Sequence, residues 1–323
     1  MRIINEEVLS KHITMSQVID SMEQAFLVQQ AGLFDQPDRI QLPHGDNVFL
    51  LMPCFGQEAF ATKLVTVYPG NAKYQKPATM ASLVLNDVKT GEPLALINGT
   101  YLTAIRTGAL GGLSCKYLAA EKAAAVGVVG AGMQGLYQVL AAAAVRPITD
   151  VWVYDAYRPT LESYAHRLQA KRPDLRVHLA RDGEEAAAQG EIIVACSTSR
   201  EPVFPDRAEL FQGKHIVAVG SYQPHTRELP RAAVEHADGV WLDAMFAAEE
   251  SGDIAIPLAQ GWLPKDQVKP FCQLVAAGEA AAAPWRQRQT LFKTVGIGLW
   301  DLIAAQHIYA QAQAEGLGLE IEL

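Results

Sequence analysis

The sequence predicts an α/β protein in which a doubly wound parallel sheet is accompanied by a smaller α+β domain. In the middle of the chain, a glycine-rich turn joins an apolar strand-like run to a helix, over residues 123–145. Strand-like and helical segments then alternate up to residue 242, which is the pattern of a parallel sheet covered by helices. The 323 residues are also more than a single hydrophobic core usually holds, so two domains are expected.

The amino-terminal part begins with a predicted helix and continues as a sheet. Residues 14–32 have helical periodicity, with Thr14 and Gln17 spaced as a capping box and Gly32 as the helix end. Short β-like runs separated by turn residues then predict a mostly antiparallel sheet. These runs are Val48–Met52, Phe60–Val67, Met80–Leu85 and Leu94–Ile97.

Helical periodicity returns at residues 101–120, immediately before the glycine-rich turn. After the turn, helices are expected at residues 134–145, 159–170 and 183–189, and strands at 151–154, 175–179, 192–195, 216–219 and 240–242. A long helix over residues 293–315 lies beyond these repeats, so it is expected to return to the first domain. The predicted domains are therefore 1–118 with 294–323, and 119–293.

The glycine-rich turn has the spacing of a dinucleotide-binding motif. Its first glycine allows a tight turn, its second lets backbone amides approach a pyrophosphate, and its third lets helix and strand pack closely. The amino terminus of the following helix then faces the anion. The residues expected to contact the cofactor here are Gly130, Gly132, Met133, Gln134 and Gly135.

An acidic residue supports the same interpretation. Asp155 follows the apolar run 151–154, where Rossmann-type domains place the carboxylate that binds the adenosine ribose. A carboxylate repels a 2′-phosphate, whereas Arg158 three residues later weakens that effect. The cofactor is therefore predicted to be NADH or NADPH, with NADH preferred. An ordinary strand–turn–helix with a surface aspartate is the alternative.

Composition argues against several other classes of protein. The net charge of −8 disfavours a nucleic-acid partner, and no apolar run approaches the ~20 residues of a membrane span. Acidic residues near the amino terminus disfavour an export signal, so a cytoplasmic location is expected. The four cysteines are isolated, and the acidic cluster of Glu249, Glu250 and Asp253 has no histidine or cysteine at ligand spacing. We therefore expect reduced thiols, no metal, and a solvated helix end at this acidic cluster.

Three cations outside the dinucleotide motif are candidates for substrate binding. Arg39 follows Pro37 and Asp38, Lys63 lies inside an apolar strand, and Arg106 lies within the helix before the glycine turn. Alternating apolar neighbours imply that Lys63 is partly buried, and a buried cation needs an anion. Taken one by one, each cation is better explained by a surface charge or an internal salt bridge.

Several segments together resemble the ornithine cyclodeaminase and mu-crystallin family. They are residues 61–71 (ATKLVTVYPGN), 85–95 (LNDVKTGEPLA), 102–109 (LTAIRTGA), the glycine turn, and 293–296 (KTVG). They occur in the family's order and span nearly the whole chain. The resemblance implies an enzyme whose small sheet domain forms a homodimer.

The resemblance also implies roles for individual residues. Arg39 and Lys63 match the positions that hold a substrate carboxylate, and Lys63 can also donate a proton. Arg106 and Thr107 match a pair near the cofactor phosphates and the substrate. Thr79 matches a position beside the nicotinamide, and Thr294 one close to both ligands. Further cofactor contacts are implied at the strand-end residues Thr198, Val219, Gly220 and Ser221.

One departure from the family pattern bears on the reaction. Cyclodeaminases carry an aspartate after the glycine pair of this turn, where the present chain has Tyr222. A tyrosine with a pKa near ~10 is a poor base at neutral pH but can donate a hydrogen bond. The sequence 220–224 (GSYQP) looks like the ketimine reductase branch, which implies reduction of 1-pyrroline-2-carboxylate to L-proline.

Several alternatives remain open at this point. A six-membered ring, 1-piperideine-2-carboxylate, suits the same residues, and the proton donor is Lys63, Tyr222 or water. Ornithine cyclisation and an alanine dehydrogenase-like reaction are alternatives within the enzyme class. A non-catalytic crystallin-like binding protein is the alternative of another class, which the three cations Arg39, Lys63 and Arg106 argue against.

Overall fold

The computed structural model describes residues 1–322, apart from the side chains of Ala72 and Arg158. The chain divides into two compact units, Met1–Arg106 with Ile297–Leu323, and Thr107–Gly296. Within the described residues, no helix has the length and apolar character needed to cross a membrane.

The elements are as follows in chain order. The first part contains β1 (Arg2–Ile4), α1 (Glu6–His12), α2 (Met15–Ala31), β2 (Ile40–His44), β3 (Asn47–Phe55), β4 (Ala59–Val67), β5 (Thr79–Asp87), β6 (Pro93–Asn98) and α3 (Gly99–Leu118). The middle part contains β7 (Ala125–Val129), α4 (Met133–Val145), β8 (Asp150–Tyr154), α5 (Arg158–Lys171), β9 (Arg176–Leu179), α6 (Gly183–Gln189), β10 (Ile192–Ala195), β11 (His215–Ala218), α7 (Arg231–Glu235) and β12 (Gly239–Leu242). The last part contains α8 (Ala247–Glu250), α9 (Gly252–Gln260), β13 (Val268–Pro270), α10 (Phe271–Ala277), α11 (Glu279–Ala282), β14 (Thr290–Lys293), α12 (Gly298–Ala314) and β15 (Leu319–Glu320).

Unit 1 is built on a seven-stranded sheet in the order β15-β1-β6-β5-β4-β3-β2. All neighbouring strands are antiparallel except β1 and β6, so the predicted mostly antiparallel sheet is confirmed. Residues alternate between the two faces of β4, and Lys63 lies on the buried face. Helices α2 and α12 pack against each other through Phe26 and Trp300, whose ring centroids are 4.4 Å apart.

Helix α2 begins as its sequence predicts. The Thr14 hydroxyl accepts a hydrogen bond from the Gln17 N–H, and the Gln17 side chain accepts one from the Thr14 N–H. This capping box satisfies two amides that a helix start leaves unpaired. Its C-terminal cap is Gly32, as expected.

Unit 2 contains an eight-stranded sheet in the order β13-β12-β14-β11-β10-β7-β8-β9, in which all strands are parallel. From β7 the chain first adds β8 and β9 on one side, and then β10 and β11 on the other. Ligands of doubly wound sheets bind at the carboxyl ends of the strands where the order reverses, which here are β7 and β10. The predicted doubly wound fold is confirmed.

The predicted helix 293–315 starts too early. Lys293 is instead the last residue of β14, a fully buried strand between β11 and β12. Gly296 has φ +76°, a left-handed conformation that a helix cannot continue through. Helix α12 therefore begins at Gly298 and is the part of this segment that belongs to unit 1.

Candidate active site

The glycine turn of unit 2 connects β7 to α4. Gly130 has φ +109°, and a Cβ there would lie 2.5 Å from the carbonyl oxygen of Cys196. A Cβ at Gly135 would lie 2.1 Å from the Gly130 carbonyl oxygen, so neither position has room for a side chain. Gly132 caps α4 without a side-chain hydrogen bond, and a Cβ there would meet nothing within 4 Å. The amides of the first turn of α4 are therefore open to an anion, which fits a pyrophosphate.

Asp155 is held in place by the turn. Its Oδ2 accepts a hydrogen bond from the Ala131 N–H at 2.8 Å, and its Oδ1 accepts one from the Tyr157 N–H at 2.8 Å. The carboxylate lines a cavity of about 810 Å³ next to the glycine turn. Other residues of its lining are Gly130, Gly132, Thr160, Gly183, Ser197 and Pro202. An open cavity that extends from Asp155 to Ser197 and carries an oriented carboxylate suits a dinucleotide, with the adenosine half at Asp155.

The other predicted cofactor residues of unit 2 have varied environments. Met133 and Thr198 are exposed, Gln134, Val219 and Gly220 are half-buried, and Thr107 and Ser221 are buried. The Ser221 hydroxyl donates to the Thr226 carbonyl oxygen at 2.5 Å, and the Thr107 carbonyl accepts from Gln138 Nε2 at 2.9 Å. Thr79, in unit 1, is exposed at the start of β5. The side chain of Arg158 lies outside the described part of the chain.

Two of the predicted cations of unit 1 share one buried anion. Lys63 Nζ donates to Asp301 Oδ2 at 2.6 Å, and Arg106 Nε donates to Asp301 Oδ1 at 2.9 Å. The side chains of Lys63, Arg106 and Asp301 are 3%, 5% and 1% exposed, so the cluster is nearly closed to solvent. Two cations and one carboxylate leave an excess positive charge, which favours a second carboxylate nearby.

The same surroundings make Lys63 a better acid than an ordinary lysine. Burial above all, together with the charges of Arg106 and Arg39, lowers the pKa of Lys63 to about 8, although Asp301 acts to raise it. Arg39 is half-buried before β2 and lies within electrostatic reach of Lys63. A pKa about 8 leaves Lys63 mostly protonated at pH 7 yet able to give up its proton, which suits a general acid.

Sequence reasoning required an anion for Lys63 but did not identify Asp301. A signal was present, because Asp301 stands in an apolar segment between Trp300 and Leu302. Fully buried aspartates are rare unless they are paired, so a charged residue in such a segment indicates a partner elsewhere.

Unit 2 holds a second set of buried charged residues. The Thr294 hydroxyl donates to Asp243 Oδ2 at 2.6 Å, so this predicted substrate residue bonds to a buried carboxylate within its own unit. Lys293 Nζ lies 3.1 Å from Asp253 Oδ2, and both side chains are 0% exposed. The expectation of a solvated acidic cluster was therefore wrong for Asp253. Its other oxygen, Oδ1, accepts hydrogen bonds from the amides of Glu228 and Leu229.

Tyr222 follows Ser221 in the loop after β11 and is 59% exposed. The Tyr222 residue is therefore open to solvent within the unit, in contrast to Lys63.

Comparisons with known proteins agree with this arrangement. The sequence matches the ornithine cyclodeaminase/mu-crystallin family over residues 2–316. A delta(1)-pyrroline-2-carboxylate reductase of Bacillus cereus (strain ZK / E33L) is 34% identical, and the match covers 100% of both chains. An alanine dehydrogenase of Archaeoglobus fulgidus is 28% identical, covering 99% of this chain and 98% of the other.

Solved structures are similar over the full length. The Thermococcus litoralis delta(1)-pyrroline-2-carboxylate reductase, in complex with NADH and L-proline, has a TM-score of 0.90 and 33% identity, covering 99% of this chain and 100% of the other. An archaeal alanine dehydrogenase dimer with bound NAD has a TM-score of 0.85 and 27% identity, covering 100% and 99%. The glycine turn, the cation cluster and these full-length matches lead to one conclusion: the chain belongs to the ornithine cyclodeaminase/mu-crystallin family.

Proposed function

We propose that this protein reduces a cyclic ketimine with a reduced nicotinamide dinucleotide, converting 1-pyrroline-2-carboxylate to L-proline. The observation that carries the proposal is the buried cluster of Lys63, Arg106 and Asp301, with Arg39 nearby. Its excess positive charge suits the substrate carboxylate, and its lysine suits protonation of the imine nitrogen. The reductases of Bacillus cereus and Thermococcus litoralis support the same reaction by their similarity.

The proposed chemistry assigns separate tasks to the cations. Arg39 binds the substrate carboxylate through two parallel hydrogen bonds, which also fix the plane of the ring. Lys63 contributes a further positive charge to this carboxylate. Arg106 stays bonded to Asp301 and keeps that carboxylate from bonding to Lys63 with both oxygens.

The reaction reduces the C=N bond by two electrons and adds one proton. A bound reduced nicotinamide would supply the hydride for the imine carbon, and the nitrogen accepts a proton. We assign this proton to Lys63, because its pKa about 8 makes the transfer easier than from an ordinary lysine. Tyr222, which stands where cyclodeaminases have an aspartate, is the competing donor. Fixing both reactants in position can supply up to ~7–11 kcal/mol of the barrier reduction.

The cofactor is proposed to be NADH in preference to NADPH. The two amides that orient Asp155 hold its carboxylate at the edge of the cavity, where it would accept hydrogen bonds from ribose hydroxyls. The same negative charge opposes a 2′-phosphate. The glycine turn and Thr107, Thr198, Val219, Gly220 and Ser221 are the proposed remaining contacts in this unit.

The protein is proposed to act as a homodimer through the open face of the unit 1 sheet. Leu42, Phe49, Thr66 and Met80 are neighbours across four strands, on the face opposite Lys63. Leu42 is 48% and Met80 37% exposed, so apolar side chains face outward. An exposed apolar sheet face of this kind favours association with a second copy.

A spectrophotometric assay of NADH oxidation tests the proposed reaction. Activity is expected with 1-pyrroline-2-carboxylate, and the six-membered 1-piperideine-2-carboxylate tests ring size. The similarity to the Archaeoglobus fulgidus alanine dehydrogenase makes reductive amination of pyruvate the second candidate. NADH oxidation with pyruvate plus ammonia but not with either imine would favour that candidate. Ammonia release from ornithine without net NADH change would instead indicate a cyclodeaminase.

A further inference from the structure

Glu228 is a buried acid whose role neither the sequence motifs nor the proposed reaction explains. It lies in the segment that connects β11 to α7, and it is 0% exposed. Its Oε1 accepts a hydrogen bond from the Ser197 N–H at 2.5 Å. Ser197 is in the loop after β10, so this carboxyl group is hydrogen-bonded to the loop at the end of that strand.

The same carboxyl group also lies close to the end of the neighbouring strand. A Cβ at Gly220, in the loop after β11, would lie 2.2 Å from Glu228 Oε2 and 2.2 Å from the Ser197 carbonyl oxygen. The two loops therefore meet at the Glu228 carboxyl group. Glu228 Oε2 itself is buried and has no hydrogen-bond partner among the described residues. A buried oxygen without a partner is costly, so its presence calls for an explanation.

Two further buried charged residues, Asp253 and Lys293, lie next to Glu228. Asp253 Oδ1 accepts the Glu228 N–H at 2.8 Å, and Asp253 Oδ2 faces Lys293 Nζ at 3.1 Å. Burial, and then the charge of Asp253, raise the pKa of Glu228 to about 7, against the opposing effects of Ser197 and Lys293. The backbone and the carboxyl group of Glu228 are thus both held, which a residue that only fills space does not require.

We propose that Glu228 is a positioning residue that fixes the loops carrying Ser197–Thr198 and Gly220–Ser221 for the nicotinamide half of the cofactor. The inference rests on the proposed function, because it takes those loops as the nicotinamide side of the site. Glu228 acts through the Ser197 amide and through its contact at Gly220. The adenosine half binds instead at the glycine turn and Asp155, which Glu228 does not contact through any hydrogen bond recorded in the described structure.

The proposal that Glu228 affects only the nicotinamide half of the cofactor is tested by comparing two ligands in the full-length protein. NADH contains both halves of the cofactor, whereas ADP-ribose lacks the nicotinamide. For Glu228→Ala, we expect the Kd of NADH to rise about tenfold or more, as for loss of a buried hydrogen bond to a charged group, and that of ADP-ribose to stay within about twofold. Fluorescence titration measures the first and calorimetry the second.

A conservative variant tests whether the hydrogen bond itself positions the loop. Glu228→Gln keeps an acceptor for the Ser197 N–H, so we expect it to restore NADH binding to within about threefold of the parent protein. If the alanine variant does not fold, Glu228→Asp provides the same comparison, since a shorter side chain withdraws the carboxylate from Ser197. Glu235→Gln, in an exposed pair with Arg231, is the matched control and should change neither affinity.

Three results would overturn the proposal. Equal weakening of NADH and ADP-ribose would assign Glu228 a purely structural role, and no weakening of either would assign it none. A glutamine variant as impaired as the alanine variant would exclude the bond to Ser197 as the cause. None of these measurements requires the imine, so they stand apart from a failure of the proposed reaction.

Discussion

Lys63 Nζ lies 2.6 Å from Asp301 Oδ2, and both side chains are almost completely buried. The ion pair is not isolated, because Arg106 bonds to the other oxygen of the same carboxylate. Removing one partner of a buried pair leaves an uncompensated charge and commonly costs ~3–5 kcal/mol. The cluster thus couples the stability of unit 1 to the acidity of its lysine.

The first prediction concerns the pH dependence of imine reduction. As the proposed proton donor, Lys63 would act in its protonated form, so kcat/KM is expected to be retained below its pKa and to fall as pH rises through about 8. Asp301 raises this pKa, so Asp301→Asn should move the fall to lower pH. Steady-state profiles between pH 6 and 10 measure both. Glu7→Gln, in the exposed pair with Lys11, is the control. If kcat/KM falls at the same pH in Asp301→Asn as in the parent protein, Lys63 is excluded as the titrating donor.

The second prediction concerns the proposed binding of the substrate carboxylate by Arg39. Arg39→Ala should lower kcat/KM for the imine by about 10²-fold, since each charge-assisted hydrogen bond is worth ~1.5–3 kcal/mol. NADH affinity should be unchanged. Arg39→Lys keeps the charge but cannot form the bidentate hydrogen bonds, so an intermediate loss of kcat/KM is expected. Full activity in the alanine variant would place the carboxylate elsewhere.

The third prediction concerns the choice of cofactor. Asp155→Ser removes the carboxylate that faces the cavity, so the ratio of NADPH to NADH efficiency should rise about tenfold or more, because a 2′-phosphate is no longer repelled. Separate kcat/KM values for the two cofactors provide the ratio. Asp174→Ser, in an exposed pair with Arg172, is the control. An unchanged ratio would remove Asp155 as the determinant.

The fourth prediction separates the two proton donors. Tyr222→Phe removes only a hydroxyl from an exposed ring, so kcat should stay within about threefold if Lys63 is the donor. A loss of ~10²-fold or more, the usual contribution of a general acid, would transfer the role to Tyr222. Measuring kcat at saturating imine distinguishes this loss from weaker binding.

The fifth prediction concerns the proposed homodimer. Leu42→Asp places a charge on the open face of the unit 1 sheet and should shift the protein from dimer to monomer. Light scattering coupled to size exclusion measures the mass. Leu179→Asp is a matched control, since Leu179 is similarly exposed, at 44%, but belongs to unit 2. Retention of the dimer in Leu42→Asp would place the interface on another surface.

Features that depend on neighbours in sequence were predictable. The capping box of α2 involves residues three positions apart, and the glycine turn is a continuous motif, so both follow from local spacing. The burial of Lys63 also followed from alternation along one strand. The family resemblance is confirmed by the match over residues 2–316.

Features that depend on distant partners were not predictable. Lys63 and Asp301 are 238 positions apart, and nothing in the local pattern of either names the other. Asp253 was expected to be solvated, as part of an acidic cluster without histidine or cysteine at ligand spacing, yet it is buried against Lys293, which lies 40 positions away. The early start assigned to the last helix has a similar cause. The pattern around Lys293 does not reveal that β11 and β12 flank it.

The order of the segments along the chain has a consequence for synthesis on the ribosome. Strand β14, which lies between β11 and β12, is made after both of them, and α12 with Asp301 follows it. Until these residues emerge, the nascent chain lacks an interior strand of one sheet and the counter-ion for Lys63 and Arg106. Since burying unpaired cations is unfavourable, neither unit can complete its core early. Folding of both units is thereby deferred until α12 has been synthesised.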